Sequence, residues 1–137
     1  MKTTSQVTYT GALRTKAIHL ASNNEIITDA PTDNNGKGET FSPTDLVATA
    51  LASCMLTIMG IRANVLDIDI TGTHAAVTKV MASDPRRISE IHVLVTMPER
   101  VFEIGHMKVL ESAARTCPVA LSVHADILQN IEFNWTT

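Results

Sequence analysis

The feature that most constrains the fold is a long uncharged segment that follows a helix start signal. Residues 46–61 carry no charged side chain over 16 positions, and a Ser-Pro-Thr-Asp motif occupies 42–45. Ser42 can cap a helix, proline suits the first helical position, and Asp45 completes a capping box. The pattern predicts a helix over residues 43 to about 66. Because the uncharged run falls short of the roughly 20 residues that span a membrane, we expect this helix to be buried in protein.

A helical wheel places a cysteine on one apolar face of this predicted helix. The residues that share the face with Cys54 are Val47, Ala50, Leu51, Ile58 and Ile61. Gly60 costs about 1 kcal/mol of helix stability relative to alanine, so we expect it to allow close packing. Aromatic residues make up only 4 % of the chain, and the core is therefore predicted to be aliphatic.

Short β-like segments surround the helix. Strands are predicted at 7–9, 16–20, 25–28, 68–80, 88–97 and 132–135, and two further helices at 99–115 and 118–127. The polar segment 29–40 is predicted to be a loop that borders a site. The order β-β-β-α-β-β-α-α-β indicates an α+β fold with mostly antiparallel pairing. A length of 137 residues fits a single domain over 1–137.

Charge and motif spacing exclude several classes of function. The net charge is −3 with scattered charges, which argues against a nucleic-acid-binding protein because that function needs a concentrated basic face. No CxxC or HxxxH spacing occurs, so we predict no metal site. The first ten residues are polar, and no signal peptide is predicted. We therefore expect a cytoplasmic location, where a disulfide would be transient.

The two cysteines are the candidate reactive groups. If Pro118 begins a helix, Cys117 is its N-cap, where free N–H groups lower the pKa of a thiol. Cys54 lies on the apolar stripe, where burial raises a thiol pKa unless a cation is near. Both could instead be inert core residues. A pair of Cys117 with His124, seven positions later, is another alternative.

The segments around the two cysteines resemble the OsmC/Ohr family, the osmotically inducible and organic hydroperoxide resistance proteins. The resemblance rests on residues 42–54 and on Arg-Thr-Cys-Pro-Val at 115–119. Segments 11–14, 29–31 and 84–86 fit the same family, best its broad OsmC-like branch. The resemblance covers essentially the whole chain. It implies a long central helix wrapped by antiparallel sheets in an intertwined homodimer, with active sites at the subunit interface.

The resemblance also implies a thiol-dependent peroxidase of the stress response, with no cofactor and no metal. Cys54 matches the thiol that attacks the peroxide, and Cys117 matches the resolving thiol. Arg14 matches the arginine that holds Cys54 as a thiolate. This reverses the order of the two thiols that local physics suggests. The expected partners are a second copy of the chain, a small organic hydroperoxide and a reducing dithiol, with no nucleic acid and no membrane.

One position departs from the pattern of the hydroperoxide reductases. They carry a glutamate ten residues before the first cysteine, paired with the arginine, and Thr44 stands there in this chain. Asp45 and Glu39 are the alternative acidic partners for Arg14. Asp45 lies about half a turn from Cys54 on the wheel, which favours its capping role. The missing glutamate keeps a second function open, a family member that binds or senses rather than turning over peroxide.

Overall fold

The computed structural model describes residues 1–136, and its element order is the predicted one. The elements are β1 Ser5–Gly11, β2 Arg14–His19, β3 Glu25–Asp29, a 3-10 turn Thr32–Asn34, α1 Pro43–Val65, β4 His74–Ala82, β5 Arg87–Thr96, α2 Ile104–Arg115, α3 Pro118–Ser122 and β6 Leu128–Asn134. The strands form two sheets, β1-β2-β3 and β4-β5-β6. All pairings are antiparallel except β5 with β6, which is parallel. The α+β class is confirmed.

Two predicted elements begin later than expected. β4 was predicted from residue 68 but starts at His74, because 67–73 forms turns: the N–H of Thr71 donates to Oδ1 of Asp69 at 2.8 Å, and Gly72 has a φ of 95°. α2 was predicted from residue 99 but starts after Glu103, which is its extended N-cap. Such turn chemistry competes with regular structure and is hard to place from periodicity alone.

The last helix and strand also differ in extent from the prediction. α3 was predicted to reach 127 but ends at Ser122, since Val123 is already extended, with a ψ of 156°. β6 was predicted to begin at 132 but begins at Leu128, where it joins β5 opposite Glu90. The edge of β5 provides backbone partners for the earlier residues, and local composition does not reveal that long-range pairing.

The chain divides into two compact units, residues 1–46 and the remainder from Val47 onward. In the first unit the buried residues are all polar: Thr28, Asp29 and Ser42. Its exposed large apolar side chains are Met1, Val7, Tyr9, Leu13, Leu20, Ile26, Ile27 and Phe41. The three-stranded sheet of this unit therefore has no apolar core of its own.

The second unit holds the apolar core. Leu51, Met55 and Met59 on α1 are fully buried, in one cluster with residues of β5 and α2. The remaining members of the buried cluster are Ala48, Ala52, Ala63, Ile91, Val93, Val95, Met97, Phe102, Leu110, Ala114, Cys117 and Ile131. Their aliphatic and sulfur-containing character agrees with the predicted scarcity of aromatic residues in the core.

The buried face of α1 is not the face that the wheel predicted. Of the predicted stripe, only Leu51 is buried, while Val47, Ala50 and Ile61 are exposed and Cys54 and Ile58 are half-buried. The helix is apolar on two faces, so the wheel could not tell which one turns inward. Within residues 1–136 no close packing occurs at Gly60, because a Cβ added there meets nothing within 4 Å.

The length and composition of α1 would also allow it to cross a membrane. It has 23 residues, with a mean hydropathy of 1.7 over its most apolar stretch, of which 33 % is buried. The core helix of a soluble protein satisfies the same criterion, and a single helix of this kind is a weak indication of a membrane span.

The start of α1 is the predicted capping box. The N–H of Ser42 donates to Oδ2 of Asp45 at 2.9 Å, and the N–H of Asp45 donates to Oγ of Ser42 at 3.1 Å. Ser42 is fully buried, so water cannot replace its hydroxyl. The box satisfies backbone donors that the first helical turn otherwise leaves unpaired.

Removing the hydroxyl in Ser42→Ala should therefore lower the free energy of unfolding by about 1 kcal/mol. Urea denaturation at one fixed protein concentration measures the change, since assembly would shift the apparent stability. Ser53→Ala on the exposed side of the same helix is the control and should stay within about 0.5 kcal/mol of wild type. Equal losses in the two variants would contradict the role of the box.

Candidate functional site

Cys117 opens α3, as the sequence predicted. Its backbone is extended, with a φ of −66° and a ψ of 155°, and Pro118 is the first helical residue. The side chain of Cys117 is fully buried, whereas that of Cys54 on α1 is half-buried. Both are free thiols. The two cysteines thus sit in the same unit with different access to solvent.

The fold brings the two thiols together. Cys54 is among the groups that raise the pKa of Cys117, so the two side chains lie near each other. Cys54 also packs against the buried cluster that contains Cys117. Two thiols that lie near each other can form a disulfide when an oxidant is present. The middle of α1 and the start of α3 therefore form a candidate dithiol site.

The pKa of Cys117 is raised, which is opposite to the sequence prediction. Burial is the largest cause and disfavours the thiolate. The N–H groups of Ala120 and Val119 act in the lowering direction, as expected for an N-cap, but Cys54 adds to the rise. Desolvation outweighs the hydrogen bonds because the side chain is closed off from water. Cys117 is therefore a protonated, shielded thiol at neutral pH.

Arg14 lies in the first unit, in an ion pair with Asp29. The two residues face each other across β2 and β3. Nε of Arg14 donates to Oδ1 of Asp29 at 2.7 Å, and Nη2 donates to Oδ2 at 2.9 Å. The side chain of Asp29 is fully buried and that of Arg14 is 30 % exposed. Such a two-pronged pair fixes the plane of the guanidinium.

This ion pair sets the charge state of both groups. The hydrogen bond from Arg14 holds the pKa of Asp29 below its usual value, against the raising effect of burial. The same hydrogen bond raises the pKa of Arg14. Both side chains are consequently charged at neutral pH.

The structure separates the two acidic partners that the sequence offered for Arg14. The carboxylate of Glu39 lies 3.6 Å from Nη2 of Arg14, and its side chain is 64 % exposed. Asp45 forms the capping box of α1 with Ser42, and Thr44, at the position of the family glutamate, lies beside it in the first turn of the helix.

Sequence reasoning missed Asp29 as a partner of Arg14. The signal was present: the predicted turn near 22–24 makes β2 and β3 a hairpin, and the hairpin brings the start of one strand opposite the end of the other. Opposite charges at such facing positions attract each other. Applying the register to Arg14 would have identified Asp29.

His124 does not support the alternative cysteine–histidine pair. Its ring lies 3.7 Å from Asp126 and its side chain is 72 % exposed, whereas Cys117 is fully buried. A base must lie within hydrogen-bond reach of the thiol it activates. As for metals, residues 1–136 contain no group of three or more His, Cys, Asp or Glu side chains that could hold an ion.

The chain and its fold match one family of proteins. The family model for OsmC-like proteins matches residues 36–132, and the chain belongs to that family. A Psychrobacter arcticus protein, provisionally named an osmotic stress induced and detoxification response protein, is 60 % identical, with 98 % of this chain and 97 % of that chain covered and a TM-score of 0.94. The chain matches no curated protein.

Two solved organic hydroperoxide resistance proteins share the fold at low identity. The Legionella pneumophila protein is 14 % identical, with a TM-score of 0.75 and coverage of 96 % of this chain and 97 % of that one. The Elizabethkingia anophelis protein is 15 % identical, with a TM-score of 0.74 and coverage of 98 % and 97 %. At this identity the likeness establishes the fold alone.

The different access of the two thiols can be measured directly. In the folded protein near neutral pH, iodoacetamide should label Cys54 and leave Cys117 unmodified, because Cys117 is buried and protonated. Peptide mass mapping after a timed quench reports each site. The control is the urea-denatured protein, in which both thiols should react. Faster labelling of Cys117 than of Cys54 in the folded protein would contradict the assignment.

Proposed function

We propose that this protein is a thiol-dependent peroxidase that reduces organic hydroperoxides to alcohols. The observation that carries the proposal is the proximity of a half-buried and a fully buried thiol, Cys54 and Cys117. Membership of the OsmC-like family supports it. The order of reaction follows from access: the half-buried thiol meets the oxidant first, and the buried thiol resolves the product.

The proposed first step consumes the peroxide. The thiolate of Cys54 attacks the terminal oxygen of ROOH, the O–O bond breaks, and the alkoxide leaves as the alcohol after taking up a proton. Sulfur is oxidised to the sulfenic acid and the peroxide is reduced. We assign to Arg14 the stabilisation of the attacking thiolate, as the family resemblance implies.

The proposed second half of the cycle restores the thiols. The sulfur of Cys117 attacks the sulfenic sulfur of Cys54, a disulfide forms, and water leaves. A dithiol then attacks the disulfide, passes through a mixed disulfide, and is itself oxidised to a disulfide while both protein thiols return. The proximity of the two thiols favours this resolution over further oxidation of Cys54. We place this cycle in the cytoplasm, where reducing dithiols are available.

We also propose that the working form is a homodimer. Two features of the separate units support it. The outer face of α1 exposes Val47, Ile61 and Val65, and the sheet of the first unit has no apolar core of its own. Apolar surface of this extent is typical of an interaction site, and a second copy of the chain is the partner that the family resemblance implies.

A second candidate function is a dimer that binds or senses rather than turning over peroxide. One observation favours it: Arg14 is already paired with Asp29 and Glu39. With two carboxylates beside one guanidinium, the group carries a net charge of −1. A neutralised arginine offers a thiolate less electrostatic help than a free one.

One equivalent of cumene hydroperoxide distinguishes the two functions. The peroxidase should lose both thiols per chain, form the disulfide between Cys54 and Cys117, and recover both thiols on addition of a dithiol. Ellman titration and peptide mapping measure this. Cys54→Ser should retain its single thiol, whereas Cys117→Ser should lose its single thiol to the sulfenic acid.

Little or slow thiol loss in wild type would favour the binding or sensing role. Faster reaction with hydrogen peroxide than with cumene hydroperoxide would contradict the organic substrate.

The dimer can be tested through the outer face of α1. The wild-type chain should sediment as a species of twice the chain mass, and Ile61→Arg should shift it towards the monomer because a buried, unpaired charge is costly. Ile104→Arg on α2 replaces another exposed isoleucine and should leave the dimer intact. A monomeric wild-type protein would contradict the proposed homodimer. A dimer that stays intact in Ile61→Arg would show that the outer face of α1 is not part of the interface.

A further inference from the structure

Asp29 ties together three parts of the first unit. Its carboxylate accepts two hydrogen bonds from Arg14 and one from the N–H of Glu39 at 3.2 Å. Its own N–H donates to the carbonyl of Phe41 at 3.2 Å. One buried residue thereby links β2, the polar loop and the segment before α1. The side chain has no exposed surface, so water cannot substitute for these contacts.

The two carboxylates beside Arg14 hold it in different ways. Asp29 makes short hydrogen bonds to Nε and Nη2 from a fully buried position. Glu39 lies at 3.6 Å from a side chain that is 64 % exposed. A buried two-pronged pair restricts the guanidinium to one plane, whereas an exposed ion pair contributes little. Orientation of Arg14 is therefore set by Asp29.

Net charge cannot be the way this arginine helps a thiolate. The guanidinium and its two carboxylates carry a summed charge of −1. What Arg14 can still offer is direction: in residues 1–136 its contacts engage Nε and Nη2, which leaves the Nη1 donors for another acceptor. A donor held at a fixed angle stabilises developing charge without reorganising first.

We infer that Asp29 is the positioning residue of Arg14, fixing the guanidinium so that its remaining donors face a reacting group, and that it takes over the role which the absent glutamate at position 44 has in the hydroperoxide reductases. The inference rests on the proposed peroxidase function. It assigns the role to strand β3 rather than to the start of α1 or to the exposed loop. Neither Asp45 nor Glu39 is then the main partner of Arg14.

The main test compares Asp29→Asn with two matched controls in the full chain. The rate constant for thiol loss with cumene hydroperoxide should fall at least tenfold in Asp29→Asn. The pH midpoint for alkylation of Cys54 should move to higher pH, because a misdirected donor stabilises the thiolate less. Glu39→Gln should lower the rate less than threefold. Glu25→Gln, an exposed carboxylate on the same strand that pairs with Lys16 at 3.9 Å, should match wild type.

The direction in which the rate and the alkylation midpoint change in Asp29→Asn shows whether Asp29 positions Arg14 or neutralises its charge. If Asp29 merely cancelled the charge of Arg14, Asp29→Asn would free the cation, speed thiol loss and move the alkylation midpoint to lower pH. That result, or an unchanged rate, would overturn the inference. A slower rate with an unchanged midpoint would also overturn it, since a purely structural role predicts that pattern.

Two further measurements keep the test valid if Asp29→Asn folds poorly. Arg14→Lys retains the positive charge but not the two-pronged hydrogen bonding to Asp29. Its rate of thiol loss should fall as much as that of Asp29→Asn. A wild-type rate would overturn the role of orientation. In wild type, the Nε–H of Arg14 should exchange slowly with solvent by NMR. Fast exchange would show that the hydrogen bond from Nε to Asp29 does not persist in solution.

The NMR measurement separates failure of this inference from failure of the proposed function. In wild type, slow Nε–H exchange together with no loss of thiols to peroxide would confirm the Arg14–Asp29 pair but contradict the proposed peroxidase function. Thiol loss at the wild-type rate in Asp29→Asn would be consistent with the peroxidase function and would contradict the positioning role of Asp29.

Discussion

Burial of the inner face of α1 is the interaction on which the second unit depends. Leu51, Met55 and Met59 are closed off from water, and each such side chain contributes roughly 1.5–3 kcal/mol through removal of apolar surface from water. The same burial fixes the rotation of the helix. Cys54 then falls at the margin of the core rather than at its centre, half-buried beside Cys117. The packing that buries the inner face of α1 thus also determines where the thiol of Cys54 lies.

The sequence predicted the elements better than it predicted which surfaces they bury. The capping box at 42–45 and the uncharged run after it located α1 almost to the residue, because both signals are local. The inner face was missed since apolar residues cover two sides of this helix, and periodicity does not rank two apolar faces. The exact starts of β4 and β6 depend on turns and on pairing with β5, which are set by contacts distant in sequence.

The candidate site shows the same division between local and distant signals. The two cysteines could be selected from their motifs, and the fold brings their side chains near each other. The partner of Arg14 could not be read from neighbouring residues, because Asp29 is fifteen positions away along the chain and is brought close by the β2–β3 register. A search limited to residues near the helix start therefore offered Asp45, whose carboxylate accepts the Ser42 N–H in the capping box.

The two thiols show how solvent access overrides local helix electrostatics. An N-cap position favours a thiolate when the sulfur is open to solvent, and the backbone N–H groups of Val119 and Ala120 do act to lower the pKa of Cys117. Yet desolvation is the larger influence on its pKa, since a buried charge loses its hydration and the nearby backbone N–H groups offset only part of that loss. A thiol that is neutral and shielded is poorly suited to meet an oxidant from solution. It is well suited to a second step in which the oxidised sulfur already lies beside it, and this agrees with the order of the thiols that the family resemblance implies.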